Sequence, residues 1–264
     1  MVPVADTFER GDPYESYVGR WSRRVAPEFL SWLGLPGGLR WLDVGCGTGA
    51  LASAILEHAA PGTVAGVEPS EGFLRTARAT LPPETVLRQG TATAMPFEDG
   101  AFDAVVSGLV LNFVPDPDAA LAEMARVARG GGTLAVYVWD YAGKMELMRR
   151  FWDAAVELDP AAAALDEGAR FPLCRPDALR QRFQAAGLSG VDVRPLDVST
   201  RFASFDDYWS PFLGGQGPAP AYAMSLDEVA RERLRERIRQ RLPLQPDGSI
   251  ALIARAWAAR GTCV

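Results

Sequence analysis

Histidine is almost absent from this chain: one residue, His58, in 264. A sequence so poor in imidazole lacks the side chain that most readily takes a proton near neutral pH, and it offers few ligands for zinc. The three cysteines, Cys46, Cys174 and Cys263, are scattered. They give neither a disulfide framework nor paired metal-ligand spacing, so a reducing compartment and no metal site are expected. An excess of positive charge is missing too, because 27 basic and 33 acidic residues leave a net charge of −6. Such a surface is a poor start for gripping a phosphate backbone, and nucleic acid is not an expected partner. Every apolar run is broken by charge or proline well before the roughly 18 residues of a membrane span. Residues 1–17 carry early acids and no apolar leader segment. The expected setting is cytoplasmic, without stable membrane insertion.

What is present is a rhythm. Short apolar runs at 39–44, 63–68, 85–89, 101–111 and 131–139 read as strands, and helical patterns fill the intervals: one through SAILEHA (53–59), one opened by Pro69 and Ser70 that contains Phe73, Leu74 and Ala77, and one at 117–127. Trp21, Val25, Phe29 and Trp32 recur at helical spacing, which suggests a first helical segment within residues 1–35; Phe29 and Trp32 suit helix-to-sheet packing. Apolar strands alternating with helices indicate an α/β sheet covered on both faces. After Trp139 the alternation stops. Helical patterns at 144–157 and 176–188, a strand candidate at 191–198, the aromatic, glycine-rich SFDDYWSPFLGGQGPAPAY, an Arg/Glu-rich helix at 227–241 and a closing strand at 249–260 follow. The expectation is one domain over 1–264: a helical segment at 1–35, a core at 36–140, and helical cap insertions at 141–186 and 199–245.

The stretch WLDVGCGTGA, Trp41 to Ala50, places three glycines directly after a strand. Glycine lets the main chain turn tightly and come close to a ligand, and the next helix begins with unpaired N–H groups. Glu68 ends the following strand, where an acid can accept both hydrogen bonds from a ribose diol. Gly45, Gly47, Gly49 and Glu68 together suggest a nucleoside-containing cofactor. The spacing is G-x-G-x-G rather than the dinucleotide G-x-G-x-x-G, with Ala50 in the third glycine's place.

LDVGCGTG resembles the first motif of class I S-adenosylmethionine-dependent methyltransferases, particularly a small-molecule group similar to the ubiquinone and menaquinone biosynthesis methyltransferases. The later landmarks VAGVEPS, RQGTATAMPFEDGAFDAVVS, LVLNFVPDP and MARVARGGGTLAV stand in the family's order, and the resemblance covers residues 39–139. It implies a Rossmann-like sheet of seven strands with the last antiparallel. It implies S-adenosyl-L-methionine as cofactor, with Asp43 supporting the amino end of the methionine portion and the loop Gly45, Cys46, Gly47 and Gly49 packed against it. Glu68 would hold the ribose hydroxyls, with Pro69 and Ser70 beside it. Thr91 and Ala92 fall where the family contacts adenine, and Thr91 departs from the Asp of many relatives. Ser107 and Leu109 would follow the fourth strand near the sulfonium.

Relatives often place a histidine in the segment matching LVLNFVP, where this chain has Asn112 and Phe113. His58 falls off the apolar stripe of its own helix, so it reads as solvent-facing. Without a histidine base, three acceptors suit a sulfonium donor: a neutral amine, an acidic phenol or enol, or an activated carbon. Asp140, after the strand GGTLAVYVW, is the candidate catalytic or orienting acid, and a helix cap or turn acid is the other reading of that position. Tyr14, Tyr17, Trp21, Trp139, Tyr141, Tyr208, Trp209 and Phe212 are candidates to line a pocket for an apolar or aromatic acceptor. The expected function is methyl transfer to a small organic molecule. A non-catalytic cofactor-binding or protein-interaction module is the alternative.

Overall fold

The computed structural model describes residues 19–214 and 217–264; Tyr14, Tyr17 and Gly215 lie outside them. Seven strands form one sheet in the order β3-β2-β1-β4-β5-β7-β6. They are β1 (Arg40–Val44), β2 (Thr63–Glu68), β3 (Val86–Gln89), β4 (Phe102–Gly108), β5 (Ala128–Trp139), β6 (Ser189–Phe202) and β7 (Ile250–Thr262). β1 pairs in parallel with β2 and β4, β2 with β3, and β4 with β5. β7 runs antiparallel to β5, from Thr133 opposite Thr262 to Trp139 opposite Ala256. The sheet is therefore the seven-stranded mixed sheet expected, with its last strand reversed. In β1 and β2 every residue after the first is buried, the mark of strands covered on both faces.

Ten α-helices accompany the strands among the described residues. Those nearest the site are α1 (Arg20–Leu33), α2 (Ala50–His58), α3 (Glu71–Thr80) and α4 (Pro117–Val127). Their starts are written in the sequence. The Ser70 hydroxyl accepts from Phe73 N at the head of α3, and Asp116 accepts from Ala119 N ahead of Pro117 at the head of α4. Phe29 of α1 packs on Tyr137 of β5 with ring centroids 4.7 Å apart.

The chain separates into two compact units. The first holds Ser22–Trp139, Leu173–Leu196 and Ala256–Val264, so it contains β1 to β5 and α7 (Pro176–Ala185). The second gathers Trp21 with Asp140–Pro172 and Asp197–Arg255. It carries α5 (Glu146–Leu158), α6 (Glu167–Arg170), α8 (Phe205–Trp209), α9 (Pro218–Ser225) and α10 (Glu228–Arg241).

Aromatic rings make the core of the second unit. Phe151 stacks on Phe212 at 4.5 Å and meets Trp152 edge-on at 5.2 Å. Phe202 lies 5.3 Å from both Trp21 and Tyr208. The Tyr208 hydroxyl donates to the Leu147 carbonyl at 2.7 Å, so its polar end is satisfied inside the core. Tyr208, Trp209 and Phe212 thus pack chiefly against one another and their neighbours. The segment SFDDYWSPFL, whose composition reads as irregular or short-helical, forms short helices ordered by a cap: Ser204 Oγ accepts from Asp207 N, and Asp207 Oδ2 accepts from Ala203 N.

Candidate functional site

The glycine turn lies at the carboxyl end of β1. Gly45 and Cys46 both donate to the Val67 carbonyl of β2, at 2.8 and 3.1 Å, which folds the turn over the neighbouring strand. Gly45 has φ +72° and Gly47 φ +54°, in the left-handed region where a side chain is strained. The two glycines face different surroundings. A Cβ on Gly45 would sit 2.5 Å from Val110 Cγ1, so that glycine permits close packing within the protein. A Cβ on Gly47 would meet nothing within 4 Å. Gly49, at the head of α2, is closed off by Leu81, whose Cδ1 would lie 2.8 Å from an added Cβ.

Two acids serve this turn. Glu68, at the end of β2, is 7% exposed and accepts from Gly47 N at 3.1 Å and from Ser70 N at 3.0 Å. Burial raises its pKa, and those two N–H groups offset only part of the rise. Each carboxylate oxygen keeps a lone pair for a further donor. Asp43, in β1 opposite Gly66 of β2, is 1% exposed, and its Oδ2 is buried without a partner. Desolvation pushes its pKa up to about 7, against a hydrogen bond from the Ala52 backbone and with a further push from the Glu68 charge. An unpartnered buried carboxylate oxygen is costly unless a cationic or donor group comes to meet it.

The remaining sequence candidates fall in several places. Cys46 packs inward, where Gly66 makes room for it: a Cβ on Gly66 would lie 2.8 Å from Cys46 Sγ. Its thiol pKa is raised, first by burial and then by the charges of Asp43 and Glu68. Pro69 is exposed, and its carbonyl accepts from Gln89 Nε2 at 2.9 Å. Thr91 is exposed at the start of a bend, with its hydroxyl 3.3 Å from that of Thr93; Ala92 is half-buried beside it. Ser107 is buried and donates to the Val44 carbonyl at 2.8 Å, so its hydroxyl ties β4 to β1. Leu109 follows β4 with φ +63°, a left-handed conformation rare for a branched side chain. Strain of that kind costs about 1–3 kcal/mol. The Leu109 N–H donates to the Tyr137 carbonyl at 2.8 Å, which helps hold the turn.

Asp140 belongs to the second unit, and its carboxylate accepts from Lys144 N at 2.9 Å. Gly143 lies so close that an added Cβ would meet Asp140 Oδ2 at 2.5 Å. The acid therefore organises its own turn. Trp139 and Tyr141, on either side of it, are buried, and Tyr141 lies against Phe171 at 5.4 Å. His58 is exposed at the end of α2. No group of three or more His, Cys, Asp or Glu among the described residues is arranged to hold a metal ion.

Three features escaped the reading of the sequence. Gly66 looks like any strand residue until the Cys46 contact is known. Asn112 stood out only for not being histidine, yet its Nδ2 is buried without a partner. Glu167, in an alanine-rich tract, is 2% exposed, accepts from Trp152 Nε1, and has a pKa pushed up to about 7 by burial. Its hidden signal was the Asp166-Glu167 pair, in which Asp166 caps α6 by accepting from Gly168 N at 2.8 Å.

A family model for a methyltransferase domain matches residues 42–136. A demethylmenaquinone methyltransferase from Staphylococcus aureus is 32% identical over 187 residues, covering 66% of this chain and 76% of that protein. The chain belongs to the class I S-adenosylmethionine-dependent methyltransferases. An uncharacterized methyltransferase from Mycobacterium tuberculosis is 38% identical over 133 residues, covering 50% of this chain. The chain spans about half the length of that mycobacterial relative, 49%. Among solved structures, a putative methyltransferase of an antibiotic biosynthesis pathway in Anabaena variabilis aligns with a TM-score of 0.62. That alignment covers 89% of this chain and 96% of the other at 20% identity, which speaks to the fold alone. S-adenosylmethionine is the cofactor of this methyltransferase family, and the turn suits it chemically: an acid with one buried oxygen unpartnered, a second acid with spare lone pairs, and open space over Gly47.

Proposed function

We propose that the protein transfers the methyl group of S-adenosylmethionine to a small, apolar or aromatic organic acceptor. The observation that carries this reading is the unpartnered Oδ2 of the Asp43 carboxylate beside the Glu68-braced glycine turn. In it, Asp43 takes the cofactor's ammonium group, Glu68 the ribose hydroxyls, and the open side of Gly47 the methionine chain. Cys46, Gly45, Gly49, Pro69, Ser70, Ser107 and Leu109 shape that surface, and Thr91 and Ala92 lie at the adenine edge. Bound there, the cofactor supplies a methyl group already activated on a positive sulfur, so the chain's own task is to orient the acceptor and exclude water.

Acceptor recognition through the cap insertions, and a catalytic or orienting role for Asp140, belong to the same proposal. Two observations support a small-molecule acceptor. Three of the six arginines of α10 are paired with acids, Arg235 with Asp206 at 3.0 Å, Arg237 with Glu157 at 2.6 Å and Arg241 with Glu157, which reduces the charge left for a phosphate backbone. The Staphylococcus aureus relative is named for a quinone substrate. No helix among the described residues is long and apolar enough to cross a membrane.

A methyl-transfer screen with small phenols, amines and activated ketones, read by product mass, tests the reading. A product whose formation needs the cofactor supports it. With a substrate in hand, Asp140→Asn should lower kcat by roughly 10²-fold if the carboxylate is a base. An unchanged rate across pH assigns Asp140 to its turn alone. Cofactor binding without transfer to any compound in a broad screen favours the non-catalytic module.

A further inference from the structure

Two of the buried, unpartnered polar side-chain atoms belong to neighbouring parts of the fold, one on β1 and the other in the turn that follows β4. Asp43 Oδ2 lies near the carboxyl end of β1, and Asn112 Nδ2 lies just past the end of β4, which pairs with β1. One is an acceptor and the other a donor. The methyltransferase reading uses the first and leaves the second without a task.

The segment that carries Asn112 is tightly fixed. Leu109 turns the chain in its left-handed conformation, and Val110 presses on the glycine turn at Gly45. Phe113 N then donates to the Val110 carbonyl at 2.8 Å, and Leu111 is buried to 2% exposure. A side chain on such a segment has little freedom to seek another partner. An amide N–H buried without one is uncompensated, and a ligand oxygen placed there would relieve it.

We infer that Asn112 is a positioning residue that holds an oxygen atom of the methyl acceptor, and hence that the acceptor is of the phenol or enol type rather than an amine. This rests on the reading proposed above. The chemistry separates the classes. A neutral amine has one lone pair, and that pair must attack the methyl carbon, so an N–H donor aimed at it would obstruct the reaction. A phenolate or enolate oxygen has three lone pairs. One can be held by the Asn112 amide while another attacks, or while the electron pair on the adjacent enolate carbon attacks. The acceptor proton leaves to solvent before binding. The new bond forms to the methyl carbon as the carbon–sulfur bond breaks, and its electrons return to sulfur as a neutral thioether. No histidine is needed, in keeping with the single exposed His58.

The test uses the full chain saturated with S-adenosylhomocysteine and titrated by calorimetry with 1-naphthol and with 1-naphthylamine, two probes of nearly the same shape. The wild type should prefer the naphthol by about tenfold or more, the worth of a hydrogen bond to a strong acceptor. Asn112→Leu should reduce that preference to within about threefold while leaving S-adenosylhomocysteine affinity unchanged, and Asn112→Gln should restore part of it. Equal binding of the two probes by the wild type, binding of neither, or a preference that survives Asn112→Leu would overturn the inference. Loss of S-adenosylhomocysteine affinity in Asn112→Leu would overturn it as well, by assigning the amide to the cofactor's carboxylate. A wild type that fails to bind S-adenosylhomocysteine would instead bring down the cofactor reading beneath it.

Discussion

Asp43 and Glu167 make an informative pair. Both are acids almost wholly buried, and burial pushes the pKa of each up to about 7. Around Asp43 the first unit leaves polar groups waiting: its own Oδ2, the spare lone pairs of Glu68, and open space over Gly47. Around Glu167 the second unit leaves nothing waiting. Trp152 Nε1 donates to the carboxylate, and Arg149 joins Asp166 to Asp153 at 2.6 and 2.9 Å alongside it. The same perturbed pKa therefore arises from a surface prepared for a ligand and from a core already complete. A shifted acid becomes a sign of function only when its hydrogen bonds are counted.

The strongest way to break that contrast is to strike the completed core. Phe151→Ala removes a fully buried ring that meets Trp152, Trp209, Phe212 and Tyr222, and it should cost about 3–5 kcal/mol of unfolding free energy, measured by urea denaturation. A loss under about 1 kcal/mol would mean the aromatic cluster is loosely packed and free to accept a ligand. On the other side, Glu68→Ala should weaken S-adenosylhomocysteine binding by roughly 10²-fold or more, since it removes the proposed ribose acceptor and the brace on Gly47. Calorimetry showing equal affinity would place the ribose elsewhere.

A finer test follows from protons. Each folded-state pKa lies above its ordinary value, 3.8 for Asp43 and 4.5 for Glu167. The native state therefore keeps protons that the unfolded chain has released. The stability they confer is fully present below those ordinary values and is lost as pH rises through about 7. Asp43 should contribute a fall on the order of 4 kcal/mol and Glu167 one of about 3 kcal/mol across that window, and Glu167→Gln should abolish its share while sparing the Trp152 contact. Ligand binding separates the two. At pH 7, S-adenosylhomocysteine should release part of a proton from Asp43, seen as a dependence of binding heat on buffer ionisation. Asp43→Asn should remove that release and Glu167→Gln should leave it. The reverse pattern would exchange the roles of the two regions.

Most of the first unit was legible because its signals are local. The apolar runs of β1, β2 and β4, the caps at Ser70 and Asp116 and the glycine spacing each declare themselves within a few residues. The closing strand was readable too, placed at 249–260 and found at Ile250–Thr262. The second unit was harder. Tyr208, Trp209 and Phe212 suggest a pocket in sequence because nothing nearby reveals what covers a ring, and their partners Phe151 and Phe202 are distant in the chain. The capping pair Ser204 and Asp207 was the available clue that the segment is helical. Asn112 was invisible as a donor because satisfaction of a hydrogen bond is a property of the surroundings, which sequence spacing does not report.

Cys46 gives the glycine turn a chemical safeguard. Sulfur is the strongest nucleophile a side chain offers, and here it belongs to the loop proposed to cradle an alkylating agent. Thiols react as thiolates, and burial together with two neighbouring carboxylates keeps this one protonated. Gly66, by having no side chain, lets the sulfur turn inward against β2. In the proposed role, the turn would hold a reactive methyl donor beside a thiol kept out of its nucleophilic form, with the missing side chain on β2 giving the sulfur its place.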